Sequence, residues 1–226
     1  MNADIAAALD LVNAGYDLAV ETRRAVHATP ELAFQEIQTT RLIRDRLAGL
    51  GLVELPCPTE TGAVFRLDGG RPGKTVLLRA DIDALPVTEE VDVPYRSRRE
   101  GQMHACGHDG HVAILLAAAG VLAQRAEALP GSYVFLFQPG EEFGYGALKM
   151  IEGGVLQGFQ ADRAIGLHLA APLPVGLVGV RAGVQYSRAQ AFRVLLSGAG
   201  AHAAMAGTDG NVVLAVSSLS SRLARV

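Results

Sequence analysis

Apolar residues recur at helical spacing through residues 4–26, where Ile5, Leu9, Val12, Tyr16 and Ala19 share one face, and predict a first amphipathic helix. Thr29-Pro30-Glu31 reads as the start of a second helix, with proline near the first helical position. That helix carries Phe34, Ile37, Leu42 and Leu47 inward and stops at Gly49-Leu50-Gly51. The period then changes. Residues 52–55, 63–67 and 75–80 read as strands, the last two joined across residues 68–73 by a hairpin-like turn. An apolar helix follows, starting at Val112 and ending at Leu129-Pro130-Gly131, and residues 133–137 read as a buried strand. A helix over 146–152 and a short strand over 164–167, ending at His168, come next. Near-continuous apolar strands alternating with helices predict an α/β sandwich with a mixed, largely parallel sheet.

Beyond Pro174 the character shifts. Residues 176–184 are rich in Gly and Val, 188–196 alternate like a strand, 197–202 form a glycine-rich loop, and a helix runs from about residue 210. A boundary near Gln185 is expected, giving domains 1–185 and 186–226. The second is too small to bury a core alone, so the chain is expected to stop within a domain.

The composition narrows the partners. The chain has 226 residues, 50% of them hydrophobic, and no apolar run long enough to span a bilayer, so a soluble protein without a membrane partner is expected. A net charge of −3 gives no basic patch for nucleic acid. Met1-Asn2-Ala3-Asp4 lacks the features of a secretory signal, and Cys57 and Cys106 make no disulfide framework, so a cytoplasmic location is expected.

The chemistry concentrates in Met103-His104-Ala105-Cys106-Gly107-His108-Asp109-Gly110-His111, which holds three of the six histidines and one of the two cysteines. Thiolate, imidazoles, a carboxylate and two glycines have no shared packing purpose, and they suit a metal loop at the start of a buried helix. Three strand ends add Asp81 and Asp83, then Glu141 and Glu142, then His168. In an open α/β sheet such ends share the edge where ligands bind. Each residue alone has a bland reading. The aspartates could cap a turn, the glutamates could be solvated, His168 could be a hydrogen-bonded core histidine, and Cys106 could be a small buried hydrophobe. Their convergence favours a pair of divalent ions about 3.5–4 Å apart. One glutamate would bind metal while its neighbour moves a proton from the attacking water to a leaving amine.

These residues resemble the M20 family of metallopeptidases and amidohydrolases, in its aminoacylase, hippurate hydrolase and auxin-conjugate hydrolase branch. The resemblance rests on residues 23–32, 77–86, 103–111, 137–142 and 166–168, in order. It implies a zinc-exopeptidase-like catalytic domain and the start of a ferredoxin-like lid that also forms a homodimer contact. It further implies that Cys106, His108, Glu142 and His168 bind two divalent ions, Zn or Mn with Co or Ni as alternatives. Glu141 would be the general base and acid, Asp83 would orient a ligand histidine, and His202 would bind substrate and stabilise the oxyanion. The substrate would be a small N-acyl amino acid, cleaved at its amide bond by metal-activated water. Two departures stand out: Ala206-Gly207 replace the usual Pro-His of the lid loop, and a further ligand histidine is expected beyond residue 226. Two alternatives follow, a catalytically impaired truncated paralogue serving as a binding or dimerisation partner, and a thiol hydrolase with Cys106 as nucleophile.

Overall fold

The computed structural model describes residues 3–142, 144–185, 192–200, 202 and 211–225. The predicted first helix is two, α1 (Ala3–Ala14) and α2 (Tyr16–Ala28), separated at Gly15, a poor helix former. Ile5, Leu9, Val12 and Tyr16 remain exposed, and the residues α2 buries run from its middle to its end, Thr22, Val26, His27 and Ala28. The helix expected from Pro30 begins instead at Ile37, as α3 (Ile37–Leu47), and Ile37 faces solvent. Glu31 explains the delay. Its buried carboxylate accepts the Gln38 and Thr39 backbone N–H groups at 3.1 and 2.8 Å, capping α3 from outside the helix.

The sheet contains β1 (Val53–Leu55), β2 (Ala63–Asp68), β3 (Arg71–Asp81), β4 (Pro130–Gln138) and β5 (Arg163–Gly166) in the order β1-β2-β4-β3-β5. The β1–β2 and β2–β4 ladders are antiparallel and the β4–β3 and β3–β5 ladders parallel, so the sheet is mixed. The hairpin expected between β2 and β3 does not form, because β4 lies between them. Gly69 and Gly70 cross over the start of β4, donating to the carbonyls of Gly131 and Ala126 at 2.7 and 2.8 Å. A Cβ at either glycine would lie 2.4 or 2.3 Å from a backbone oxygen, so no larger residue fits this crossing.

Among the described residues, this part also has the α-helices α4 (His108–Gln124) and α5 (Gly146–Glu152). Strand alternation sorts the core onto two faces of the sheet. Phe65 and Leu67 of β2 and Phe135 and Phe137 of β4 pack with Val26, Ile43, Val112, Leu115 and Ala119 from α2, α3 and α4. Val64, Val134 and Leu136 point the other way, onto Met150, Val155 and Phe159. Each such large side chain, fully buried, contributes about 1.5–3 kcal/mol. Because β3, β4 and β5 are parallel, their C-terminal ends form one edge, with Asp81 in register with Gln138.

The chain divides into two compact units, Met1–Leu173 and Pro174–Val226. In the second, α6 (Val212–Leu223) starts at Asn211, whose side-chain oxygen accepts from the Val213 and Leu214 N–H groups. The strand expected over 188–196 falls partly outside the described residues, and residues 192–196 carry no strand; Ala206 and Gly207 also lie outside them. No helix among the described residues is long and apolar enough to cross a membrane.

Candidate metal centre

The parallel edge of the sheet receives polar groups from four directions. At the end of β3, Ile82 is fully buried and its N–H donates to the Gln138 carbonyl at 3.0 Å, which fixes Asp81 and Asp83 on either side of it. Gly107, in the left-handed region at φ 84°, turns the chain from Cys106 into α4, so that His108 and His111 start the helix buried. After β4, the Pro139-Gly140 turn delivers Glu141 and Glu142, and the Glu142 N–H donates to Asp83 Oδ2 at 2.9 Å. The chain leaving β5 brings His168.

Ligand atoms of Cys106, His108 and His168 lie within 4.8 Å of one another, as do those of His108, Glu141 and Glu142. Cys106 Sγ is 3.4 Å from His168 Nε2, and His108 Nε2 is 3.8 Å from Glu142 Oε1 and 3.9 Å from Glu141 Oε2. The two imidazoles share one arrangement. His108 Nδ1 donates to the Asp83 carbonyl at 2.9 Å, and His168 Nδ1 donates to the Leu169 carbonyl at 2.7 Å. A carbonyl only accepts, so each Nδ1 carries a proton, and in the neutral ring each Nε2 keeps a lone pair for the cluster.

Two of the converging atoms, His108 Nε2 and Glu142 Oε1, are buried and have no hydrogen-bond partner, as is Asp83 Oδ1 beside them. Buried polar atoms are costly to leave unpaired. A set of thiolate, imidazole and carboxylate donors suits a borderline divalent ion such as Zn²⁺. The residues therefore fit such a cation.

The electrostatics agree. Burial opposes charge on His108, but the carboxylates of Asp83, Asp81 and Glu142 outweigh it and raise its pKa. Burial raises Glu142, and the neighbouring charges of Glu141 and Asp83 add to the shift. Burial and the facing Glu142 push the Cys106 thiol up to about 12. A nucleophilic cysteine needs the opposite shift, which argues against the thiol-hydrolase alternative. A cation held among these carboxylates would favour the thiolate.

The fold brings together six of the residues expected at the site, Cys106, His108, Glu142, His168, Glu141 and Asp83. His202 lies in the second unit and is exposed. Asp81 was legible as part of the cluster but not in its role, and His111 went unassigned. Asp81 Oδ1 accepts from His111 Nδ1 at 2.5 Å, and its Oδ2 accepts from Arg79 at 2.8 Å. Burial opposes its charge, yet these two partners and His108 hold its carboxyl down at about 2. Residues three apart share a helix face, so the spacing from His108 to His111 was the available signal. His104, from the same loop, belongs to none of these ligand groups. It is buried with both ring nitrogens unpartnered, and burial lowers its pKa to about 4.

The family model described as Peptidase family M20/M25/M40 matches residues 77–224. The N-acyl-L-amino acid amidohydrolase of Geobacillus stearothermophilus is 43% identical over 184 residues, covering 81% of this chain and 49% of its own. The N-acetylcysteine deacetylase of Bacillus subtilis is 41% identical over 185 residues, covering 81% of this chain and 48% of its own. Among solved structures, the Bacillus subtilis YXEP protein, described as a dinuclear metal binding peptidase from the M20 family, aligns with a TM-score of 0.71 at 40% identity. That alignment covers 75% of this chain and 47% of the other. The chain thus spans about half the length of the relatives it matches.

Proposed function

Because the chain belongs to the M20/M25/M40 peptidase family, we propose that it is the metal-binding part of an amidohydrolase that cleaves the amide bond of N-acyl amino acids. The observation that carries this reading is the pair of buried, unpartnered atoms, His108 Nε2 and Glu142 Oε1, set 3.8 Å apart in a thiol–imidazole–carboxylate cluster. The names of the amidohydrolase and deacetylase relatives support the substrate class.

Cys106, His108, Glu142 and His168 would hold two divalent ions, Zn or Mn. When bound, such ions would supply Lewis-acid activation of the amide carbonyl and of water. The two glutamates divide the remaining work by exposure. Glu142, with 14% of its side chain exposed, faces His108 as a ligand, whereas Glu141, at 42%, is open enough to exchange protons with substrate and water. Glu141 takes a proton from the attacking water and returns it to the departing amine nitrogen. Asp83 accepts the Glu142 N–H and lies 3.4 Å from His108 Nδ1, holding both residues in place. His202, from a lid that begins near residue 186, would bind the acyl amino acid and stabilise the oxyanion. A cytoplasmic homodimer joined through that lid completes the reading.

The test is release of free amino acid from N-acetyl and N-benzoyl amino acids by the Zn- or Mn-loaded chain, followed by amine detection. Turnover that a chelator abolishes and metal restores is expected. No release and no bound metal under the same conditions would sink the reading for this chain.

A further inference from the structure

The group Asp81, His108 and His111 also lies within ligating distance, but both nitrogens of His111 are already engaged. The Leu169 N–H donates to His111 Nε2 at 2.9 Å. That nitrogen must be an acceptor, so the proton sits on Nδ1 and is given to Asp81 Oδ1. Arg79 in turn fixes the other oxygen of Asp81, and donates to Gln138 as well. His111 is therefore no spare ligand. It is the middle of a chain of bonds running from the end of β3 to the segment that carries His168.

We propose that His111 is a positioning residue that sets His168 in the metal cluster through the backbone of Leu169. The path is short. His111 holds the Leu169 N–H, and the carbonyl of the same residue accepts from His168 Nδ1 at 2.7 Å, fixing the ring whose Nε2 meets Cys106. The His111 and His168 rings also meet edge to face, with centroids 4.7 Å apart. The Leu169 side chain is seated beside the first turn of α4, where a Cβ on Gly110 would come within 2.5 Å of Leu169 Cδ1. The clasp matters because β5 is exposed along its whole length. Of the ligands, His168 is the one least held by the core, so a bond from a buried helix supplies the order that packing elsewhere provides.

This inference rests on the proposed metal site, and its test has two arms that separate the two ideas. The first needs no metal. Hydrogen–deuterium exchange on the full chain with metal stripped should show the Leu169 amide protected, and His111→Ala should speed its exchange at least about tenfold. The second arm is Co²⁺ titration read by absorbance, in which thiolate charge-transfer and d–d bands report Cys106 and the symmetry of the site. His111→Ala should weaken Co²⁺ binding about 10–100-fold, the usual effect of losing a partner behind a ligand, and should alter the bands. His111→Gln places an acceptor near the former Nε2 and should restore both readouts to within a few-fold of wild type. Thermal melting of each metal-free variant accompanies the titrations, because a purely structural role would lower stability without the Gln-dependent return of the spectrum.

A Leu169 amide unprotected in the wild type, or unchanged by His111→Ala, overturns the clasp. Protection lost in the Ala variant with unchanged Co²⁺ affinity and bands overturns its positioning role. If the wild type takes up no Co²⁺, the metal reading fails, and with it the role assigned to His111, while Leu169 exchange still decides whether the clasp exists.

Discussion

His27→Gln removes the cation at the centre of a buried ion cluster directly behind the metal loop. His27 Nδ1 lies 2.7 Å from Asp109 Oδ2 and Nε2 lies 3.0 Å from Glu89 Oε1, with the histidine 3% exposed. Both nitrogens face carboxylate acceptors, which favours the imidazolium against the opposing Arg23 guanidinium 3.4 Å from Nδ1. The Asp109 hydrogen bond leads in raising its pKa, Glu89 adds to it, and burial opposes. Arg23 keeps its contact with Asp109 at 2.6 Å in the variant, while Glu89 loses its buried counter-charge and retains the Ser97 N–H at 2.6 Å. Removing one member of a buried pair costs about 3–5 kcal/mol, and glutamine keeps one donor, so about 3 kcal/mol is expected. Urea unfolding followed by circular dichroism should show this as a midpoint lower by about 1–1.5 M, at a slope of about 2–3 kcal/mol/M.

The pH dependence supplies the sharper check. A histidine whose folded pKa is raised above 6.5 gives its full stabilisation below that value and loses it as pH rises through the folded pKa. The gap between wild type and variant should therefore be widest near pH 6 and narrow by pH 9. His108, also raised, shifts in the same direction, and His104, lowered to about 4, destabilises the fold only as pH falls below 6.5. Both are present in the two proteins; the charge of His27 helps to lower His104, so only the part of these contributions independent of His27 cancels in the difference. A gap below about 1 kcal/mol, or one equal at the two pH values, would refute the reasoning.

Other expectations follow from the same geometry. Gly146→Ala should lower the melting temperature, because its Cβ would fall 1.7 Å from the Pro139 carbonyl oxygen in the turn that delivers Glu141; overpacking of this kind costs about 1–3 kcal/mol or more, and an unchanged melt would contradict it. With metal removed, Cys106 should react with iodoacetamide at pH 8 more than tenfold slower than a free thiol, since burial and Glu142 hold it near 12; mass-spectrometric labelling at the rate of a free cysteine would revive a nucleophilic role. Phe135→Ala, at a fully buried position between the sheet and α4, should cost about 3–5 kcal/mol in urea unfolding; a loss under about 1 kcal/mol would contradict the packing of Phe135 in this core.

Much of this site was legible because its residues sit at element ends that the sequence punctuates clearly. Asp81 and Asp83 close an apolar strand, Glu141 and Glu142 follow Pro139-Gly140, and Cys106-Gly107-His108 opens an apolar helix. The pairing of strands was less legible. A two-glycine link normally signals a hairpin, but β4 enters between β2 and β3, and that choice depends on contacts between residues 69–70 and 126–131 that local pattern does not encode. The late start of α3 was hidden for a similar reason. Thr29-Pro30-Glu31 looks like a helix start, whereas Glu31 caps the helix from outside it, and Phe34 adopts φ 61° on the way. The role of His111 was equally hidden, since its partners, Asp81 and the Leu169 amide, are 30 and 58 residues away in sequence.

In the proposed site Glu142 binds metal and Glu141 moves the proton. Metal content and hydrolysis measured together in Glu141→Gln and Glu142→Gln separate these two roles. Glu141→Gln should retain wild-type metal content but lose hydrolysis, while Glu142→Gln should lose metal. Equal metal loss in both variants, or hydrolysis surviving in Glu141→Gln, would contradict this division.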